Sequence, residues 1–446
     1  MRGTEKLHDR LRFRVRGWAI GLFSTWVLAA AAAAAAAVAA VASPAAEPPW
    51  TLDALIAALK DHNPQLEQAR QAYLAARFQV GVVKSLPAPQ LNFSEQANTG
   101  GPFNFEPASG FYAYPTLTQP FLWPGKRALA GAVASAQAEV VGRGADSLVI
   151  QLIAQLKITF YQLVALQDQL RYVVEDQQRL EQIKSIAQVR YANNAAAYVE
   201  FLNAQVSVSS LANDRFALEK QIQAAKDQIN LLISRPASSQ LVVQDSAGPP
   251  HLPARPLEAL LDLAHQTNPA MAGSQSQVDA ADQGLALAQQ AFRPDFALSA
   301  GAYTDPLLNH IGSTRMYTVG VTVTLPTWGF AREHAGVAQA RAVLAQAKAA
   351  QEAQRQQLDL NVTMAFHSLE TALRQMQFSR ERLLPQAQMA YRLALSGYAS
   401  NGGTAFADLL MAQGGLRATE LALIQAQSAA VQANATLAAA IGRDPD

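Results

Sequence analysis

The chain spells one pattern twice. Leu52-Asp53-Ala54-Leu55 returns as Leu257-Glu258-Ala259-Leu260 and Asn63-Pro64 as Asn268-Pro269, both at an offset of 205 residues. Pro89-Gln90-Leu91-Asn92-Phe93-Ser94 returns at that same offset of 205 as Pro294-Asp295-Phe296-Ala297-Leu298-Ser299. Glu200-Phe201-Leu202 against Asp408-Leu409-Leu410, and Ile233-Ser234-Arg235 against Ile441-Gly442-Arg443, keep an offset of 208. A shared offset across points so far apart is hard to reach by chance, and repetition of this kind sets the architecture before local propensity does. The sequence therefore predicts two copies of a unit of about 200 residues, 43–240 and 257–446, joined by a Pro-, Ser- and Gly-rich linker over 241–256.

Both copies carry the same internal order. A short helix comes first, over 52–60 or 257–266. Asn-Pro then opens a second helix, because proline fits the first helical turn, and this helix ends near residue 84 or 292. Two extended segments follow around a Gly/Pro/Asn-rich loop, at about 90–97 and 112–121 and again at 295–303 and 316–325. A very long helical stretch comes next, 126–190 or 332–397, then a tight polar turn and a last helix over 199–233 or 406–441. A helix of about 65 residues, rising ~1.5 Å per residue, is close to 100 Å long, far beyond the ~12-residue globular mean. Leu152, Leu156, Leu163, Leu166, Leu170, Val173, Leu180 and Ile183 recur at steps of three, four and seven, the heptad spacing of supercoiled helices. The second and last helices together nearly match the long one, so the pair can lie end to end along it. Pro385 falls inside the second long stretch and should kink or break it, whereas the matching Gln178 should not.

The extended segments alternate. Tyr317, Val319, Val321, Val323 and Leu325 are apolar, with Thr318, Gly320, Thr322 and Thr324 between them, a period of two. Phe296, Leu298, Ala300 and Ala302 repeat it more weakly, and in the first copy Tyr112 and Tyr114 are candidates for an aromatic girdle. This alternation fits a barrel strand crossing a bilayer, which needs ~9–11 tilted residues, and it fits a soluble sheet with one buried face. The great length of the helices favours the first. Four strands cannot close a barrel, since closed ones need at least eight, and an open edge in lipid leaves backbone groups unpaired at several kcal/mol each. Several chains must then share one barrel, and three would supply twelve strands.

Residues 1–16 hold six Lys/Arg and two acids, and an Ala-rich apolar run over 18–41 follows. A positive start, an apolar run and the small residues Ala40-Val41-Ala42 describe a secretory signal over 1–42. The run is also long enough for an uncleaved anchor, although alanine is weakly hydrophobic. Either way the remainder leaves the cytoplasm. No later segment offers ~20 unbroken apolar residues, so any later crossing must use strands. Of 35 Lys/Arg and 34 Asp/Glu, 29 and 32 remain beyond residue 16, a mildly acidic chain without a basic stripe and a poor nucleic-acid binder. The absence of cysteine excludes disulfides, thiolate zinc sites, cysteine nucleophiles and a lipidated cysteine. The seven histidines are scattered, none in a His-x-x-x-His or HExxH arrangement, and there is no G-x-S-x-G, P-loop or nucleotide fingerprint. Catalytic residues, cofactors and tight metal sites are therefore not expected.

This organisation resembles the TolC-type outer-membrane efflux proteins over nearly the whole mature chain. The resemblance is carried by the paired Leu-Asp-Ala-Leu and Asn-Pro motifs and by Gln119-Pro120-Phe121-Leu122-Trp123-Pro124-Gly125-Lys126-Arg127 with its counterpart Leu325-Pro326-Thr327-Trp328-Gly329-Phe330. Leu383-Leu384-Pro385-Gln386-Ala387 and Tyr398 with Asp408-Leu409-Leu410-Met411-Ala412-Gln413 complete it. It implies a mainly α fold with transmembrane β: a homotrimer with one shared twelve-stranded outer-membrane barrel above a long helical periplasmic barrel. It implies a passive exit duct in the outer-membrane lipid, served by a periplasmic adaptor and an inner-membrane pump of the RND type. The Trp-Pro-Gly-Lys-Arg run looks most like the branch serving heavy-metal efflux, of the CzcC/CusC kind; drug, toxin or polypeptide cargo stays open. Without a lipidated cysteine, anchoring would rest on the barrel.

Under this reading the two polar turns form the periplasmic tip. The candidates for gating and adaptor docking are Arg190, Tyr191, Asn193, Asn194, Glu200, Tyr398, Asn401, Gly402, Gly403 and Asp408. An ordinary helix-turn-helix reversal would use the same small residues. A soluble periplasmic coiled-coil adaptor is the rival class, but adaptors lack two strand pairs set between helices. Lengthening the loops 98–110 or 304–315 should leave export intact, whereas replacing Gly402-Gly403 by Val-Val should damage it; equal tolerance at both places in an export assay would count against a gate at the turns.

Overall fold

The computed structural model describes residues 49–97, 111–244, 252–303, 316–325, 330–400 and 403–443. The expected signal segment, both loops, the linker residues 245–251, Pro326-Thr327-Trp328-Gly329 and Asn401-Gly402 lie outside the described residues. The first run of elements is α1 (Leu52–His62), α2 (Pro64–Lys84), β1 (Gln90–Ala97), β2 (Phe111–Phe121), α3 (Lys126–Ala192) and α4 (Tyr198–Leu232). The second is α5 (Leu257–Thr267), α6 (Pro269–Gln289), β3 (Asp295–Tyr303), β4 (Met316–Thr324), α7 (Ala331–Phe378), α8 (Leu384–Ala399) and α9 (Phe406–Ile441).

α2 and α4 lie along α3, α6 and α9 lie along α7, and α6 and α9 also pack on α3, which fuses the two copies. The cores are copies as well. Leu55, Leu156, Leu163, Ile229 and Ile233 build the first; Leu260, Val362, Leu369, Leu437 and Ile441 build the second. A third cluster, with Val173, Leu180, Ile183, Tyr391, Tyr398 and Leu409, joins both copies near the turns. Helix α3 is apolar enough to cross a membrane by length and composition, but its heptad leucines are buried against neighbouring helices. Pro385 does not break the second long helix. Its ring nitrogen carries no N–H for the residue four back, and the chain widens through the π-helical turn Ser379–Leu383 before entering α8 with its backbone still in the right-handed region. The start of the stretch read as linker folds back: Trp50 N donates to Val242 O at 2.8 Å, and Leu241 is buried in the first core.

The repeated Asn-Pro has a double role. Asn63 Oδ1 accepts from Gln65 N at 2.8 Å and so caps α2, while its Nδ2 donates to Leu232 O, at the end of α4, at 2.8 Å. Asn268 does the same for the second copy, accepting from Ala270 N at 2.8 Å and donating to Ala440 O at 2.7 Å. One side chain thus starts the second helix of each copy and fixes where its last helix ends.

The four strands form one antiparallel sheet in the order β1-β2-β3-β4, with β2 and β3 joining the copies. Register sorts the faces. Leu91, Leu117, Ala300 and Val319 align across the sheet, as do Phe121, Phe296 and Val323. The opposite face aligns Asn92, Thr116, Gly301 and Thr318. The apolar face is bare: Phe93 is 78% exposed, Tyr317 76%, Val319 78% and Val321 68%. A soluble sheet would cover that face with helices, so the structure favours lipid as its neighbour. The side chains of Tyr112 and Tyr114 are outside the description. Below the sheet, Gly125 at φ +94 turns the chain into α3. Asp295 Oδ1 accepts from Trp123 N at 2.8 Å and from Lys126 Nζ at 3.0 Å, and Trp123 stacks on Phe296. The Trp-Pro-Gly-Lys run therefore bolts the first strand-helix joint to the second copy.

Asn63→Ala should lower stability by about 2–4 kcal/mol, because it removes an N-cap and strands the buried Leu232 carbonyl. Asn63→Ser keeps a capping oxygen and should lose about half as much. Urea unfolding of both variants checks this ordering.

Candidate functional site

Each long helical stretch ends in a turn of unusual backbone. Asn193 caps α3, donating its N–H to Val189 O at 3.1 Å. Asn194 takes φ +54, and Ala195 N closes the reversal onto Arg190 O at 2.8 Å. In the second turn Ser400 N bonds to Ser396 O at 3.0 Å, and Gly403 sits at φ +86. A Cβ on Gly403 would meet nothing, so any strain from a side chain there is backbone strain. The tight approach is instead at Gly397, where a Cβ would press on the Thr404 hydroxyl; the sequence reading did not single it out.

Three of the candidates meet. Tyr398 is 2% exposed, and its hydroxyl donates to Glu200 Oε2 at 2.6 Å. Arg190 Nη1 donates to the Tyr398 carbonyl, Nη2 donates to Ala195 O at 3.2 Å, and the guanidinium lies 4.5 Å from the Tyr398 ring centre. The Phe406 ring centre lies 5.5 Å from that of Tyr398. Burial, then the hydrogen bond and charge of Glu200, push the Tyr398 hydroxyl far above its ordinary pKa, so it stays a donor. This is a clasp between the α3/α4 hairpin and the α8/α9 hairpin. The remaining candidates stand apart. Tyr191 is 47% exposed, and its ring centre lies 5.2 Å from that of Tyr198, which in turn stacks on Phe201. Asp408 is exposed in the first turn of α9, with no ion pair among the described residues.

About three turns up the helices, ~16 Å at 1.5 Å per residue, lies a second polar cluster that the sequence reading missed. Asp176, its side chain 1% exposed, accepts from Gln413 Nε2 at 2.9 and 2.8 Å through its two oxygens. Arg179 sits 3.7 Å from Asp176, 3.9 Å from Glu420 and 3.9 Å from Glu175, and donates to the Tyr172 hydroxyl at 3.2 Å. Arg417 pairs with Asp214. The bonds of Asp176 to Gln413 and of Arg179 to Glu420 tie α9 to α3, and Arg417–Asp214 ties α9 to α4, while the other contacts of Arg179 stay within α3. A signal was available: Asp176 occupies a heptad core position between Val173 and Leu180, where a charge has no business unless it is paired. Burial raises the pKa of Asp176, opposed by Gln413 and by the charges of Arg179 and Arg417. Burial also raises Glu420, opposed by Arg179. Among the described residues no group of three His, Cys, Asp or Glu could hold a metal ion.

Residues 55–234 and 260–443 match the sequence model of a family described as outer membrane efflux protein. The cobalt-zinc-cadmium resistance protein CzcC of Cupriavidus metallidurans is 28% identical over 195 residues, 43% of this chain and 44% of CzcC. The match thus spans less than half of that relative. The outer-membrane channel OprN superposes with a TM-score of 0.77 at 18% identity, covering 88% of this chain and 89% of OprN. VceC of Vibrio cholerae gives 0.74 at 20%, covering 89% and 97%, and CusC gives 0.76 at 18%, covering 90% and 96%. At these identities the likeness shows the fold.

Because its folded form binds the Asp176 proton more tightly than the unfolded chain does, lowering pH from 7 toward 4 stabilises this cluster. Asp176→Asn removes that titration. The unfolding temperature of wild type minus that of the variant should therefore grow more positive as pH falls across this window.

Proposed function

The chain belongs to the outer membrane efflux protein family, and from that premise we propose that it is the passive outer-membrane duct of a tripartite efflux system for heavy-metal cations. The observation that carries the duct is the bare apolar face of a four-stranded sheet whose other face is lined by Thr, Ser, Asn and Gly. Such a sheet satisfies both its faces and its edges only when sister copies complete a barrel around a polar lumen. Three chains of four strands make twelve, and the helices of the same three make the periplasmic conduit. A soluble adaptor has no use for that sheet. The cargo rests on the sequence likeness to a cobalt-zinc-cadmium resistance protein. A passing ion needs no tight site, since conduction requires binding weak enough to leave.

The clasp of Arg190, Glu200 and Tyr398 is the gate in this reading. It lies where two hairpins of one chain meet, so breaking it frees α8 and α9 to swing from the tube axis. The adaptor would dock on the exposed tip, with Tyr191, Asn193, Asn194, Gly403 and Asp408 on or beside its contact surface, and Asn401 and Gly402 in the same turn.

Deleting the gene should sensitise cells to zinc, cobalt or cadmium more than to a drug panel; the reverse order would reassign the cargo and leave the duct standing. Heat-modifiable trimers in the outer-membrane pellet are expected, and release by osmotic shock would sink the duct itself. Tyr398→Phe keeps the ring under Arg190 and loses only the bond to Glu200, a charge-assisted hydrogen bond of about 1.5–3 kcal/mol. Its open probability in planar bilayers should rise about tenfold or more, and an unchanged closed level would remove the gate assignment.

A further inference from the structure

A cleft of about 360 Å³ opens where the sheet meets the helices, between the α2–β1 and β2–α3 connections and far from the turns. Lys84, Leu86, Phe121, Leu122, Trp123 and Arg127 line it. Its apolar side continues the bare face of the sheet. Phe121 is in register with Phe296 and Val323 on that face, Trp123 stacks on Phe296, and Leu86 and Leu122 are 52% and 43% exposed. Its polar side carries two cations. Among the described residues neither Lys84 nor Arg127 has an acidic partner, whereas the adjacent Lys126 is neutralised by Asp295 at 3.0 Å.

The backbone is cut to hold one of these cations in place. Gly131, one turn along α3 from Arg127, is buried, and a Cβ there would come within 2.5 Å of Lys84 Cε. The Lys84 stem therefore lies across bare helix backbone, on the same strip as Arg127. An unpaired cation pair, an amphipathic tryptophan and exposed leucine and phenylalanine side chains, set at the end of lipid-facing strands, match a phospholipid at the interface: headgroup phosphate on the cations, acyl chains on the apolar wall.

We propose that this cleft binds an anionic phospholipid of the membrane's periplasmic leaflet, with Lys84 and Arg127 on its phosphate. The proposal rests on the outer-membrane duct reading and adds a lipid site that steadies the joint between barrel and helices. The test is native mass spectrometry of the full-length trimer in detergent, titrated with phosphatidylglycerol or with phosphatidylcholine of the same acyl chains. Wild type should retain phosphatidylglycerol preferentially. Lys84→Gln with Arg127→Gln should weaken that retention about tenfold or more and leave phosphatidylcholine unchanged. Gly131→Ala, which displaces the Lys84 stem without removing charge, should weaken it severalfold and serves as the reading if the double variant fails to assemble. Equal retention of both lipids, or full retention in the variants, overturns the site. Displacement of phosphatidylglycerol by equimolar inorganic phosphate would assign the cations to a free anion and overturn the lipid. Failure of wild type to form membrane trimers would instead sink the duct reading.

Discussion

The free edges of β1 and β4 constrain everything else. In a bilayer every backbone N–H and C=O must be satisfied within protein, and each one left bare costs several kcal/mol. Four strands in the order β1-β2-β3-β4 leave two such edges, and their register leaves one whole face apolar. No rearrangement of a single chain repairs both. Further copies must pair β1 of one chain with β4 of the next, which the antiparallel order allows. Once the strands are shared, the helices hanging from them are forced into a ring. The joint residues Trp123, Gly125, Lys126 and Asp295 then pass that geometry from sheet to helix.

Within the chain, duplication solves the same packing problem twice, and the interest lies where the copies diverge. Asn63 and Asn268, and the leucine cores they close, are near replicas. The turns are not. The helix ends at Ala192 and Ala399 differ by 207, while the next starts at Tyr198 and Phe406 differ by 208, so the second turn holds one more residue. Tyr191 and Tyr398 occupy matching places before their turns, yet one is 47% exposed and the other 2%. Tyr398 is buried because the neighbouring hairpin offers Arg190 and Glu200. At the corresponding places the second hairpin offers Gly397 and Asp408. The contact proposed as the gate is therefore formed at one of the two turns of each chain and not at the other.

How much of this could be read beforehand follows the range of the interactions. Helix lengths and the strand alternation are patterns in neighbouring residues, and the ends of most of these elements lie within a few residues of those observed. Asn-Pro was legible as a helix start because capping is local. Its second bond, to a carbonyl 169 residues away, was not. Arg190, Glu200 and Tyr398 stood out through their proximity to the turns, but Asp408 stood beside them by the same reasoning and makes no such contact among the described residues. Asp176 was missed because the heptad was read for its leucines, and not for the carboxylate interrupting it. Pro385 was read as a kink or a break, since the sequence does not say that a π turn can absorb a missing N–H. The Lys84–Gly131 contact depends on two elements packing at one crossing, which no local pattern encodes.

In the proposed reading the duct is passive and is opened by a docking partner, so the strength of its closure has to match what that partner can supply. Moving a two-state element from one part open in a hundred to one part closed in a hundred takes about 10⁴-fold preferential binding to the open form, ~5.5 kcal/mol. A charge-assisted hydrogen bond of the Tyr398–Glu200 kind is worth about 1.5–3 kcal/mol. If the clasp is the proposed gate, three of them around a ring would hold the tip shut with roughly 5–9 kcal/mol, enough to seal an unpartnered duct. That total stays within reach of a partner gripping six helical tips. The deeper cluster at Asp176, Arg179 and Gln413 sets the limit of the motion. Breaking it would leave a buried carboxylate unpaired, at a penalty larger than a clasp. Under the proposed gating, the hairpin formed by α8 and α9 would swing about that level, with the opening confined to the last turns of the tube.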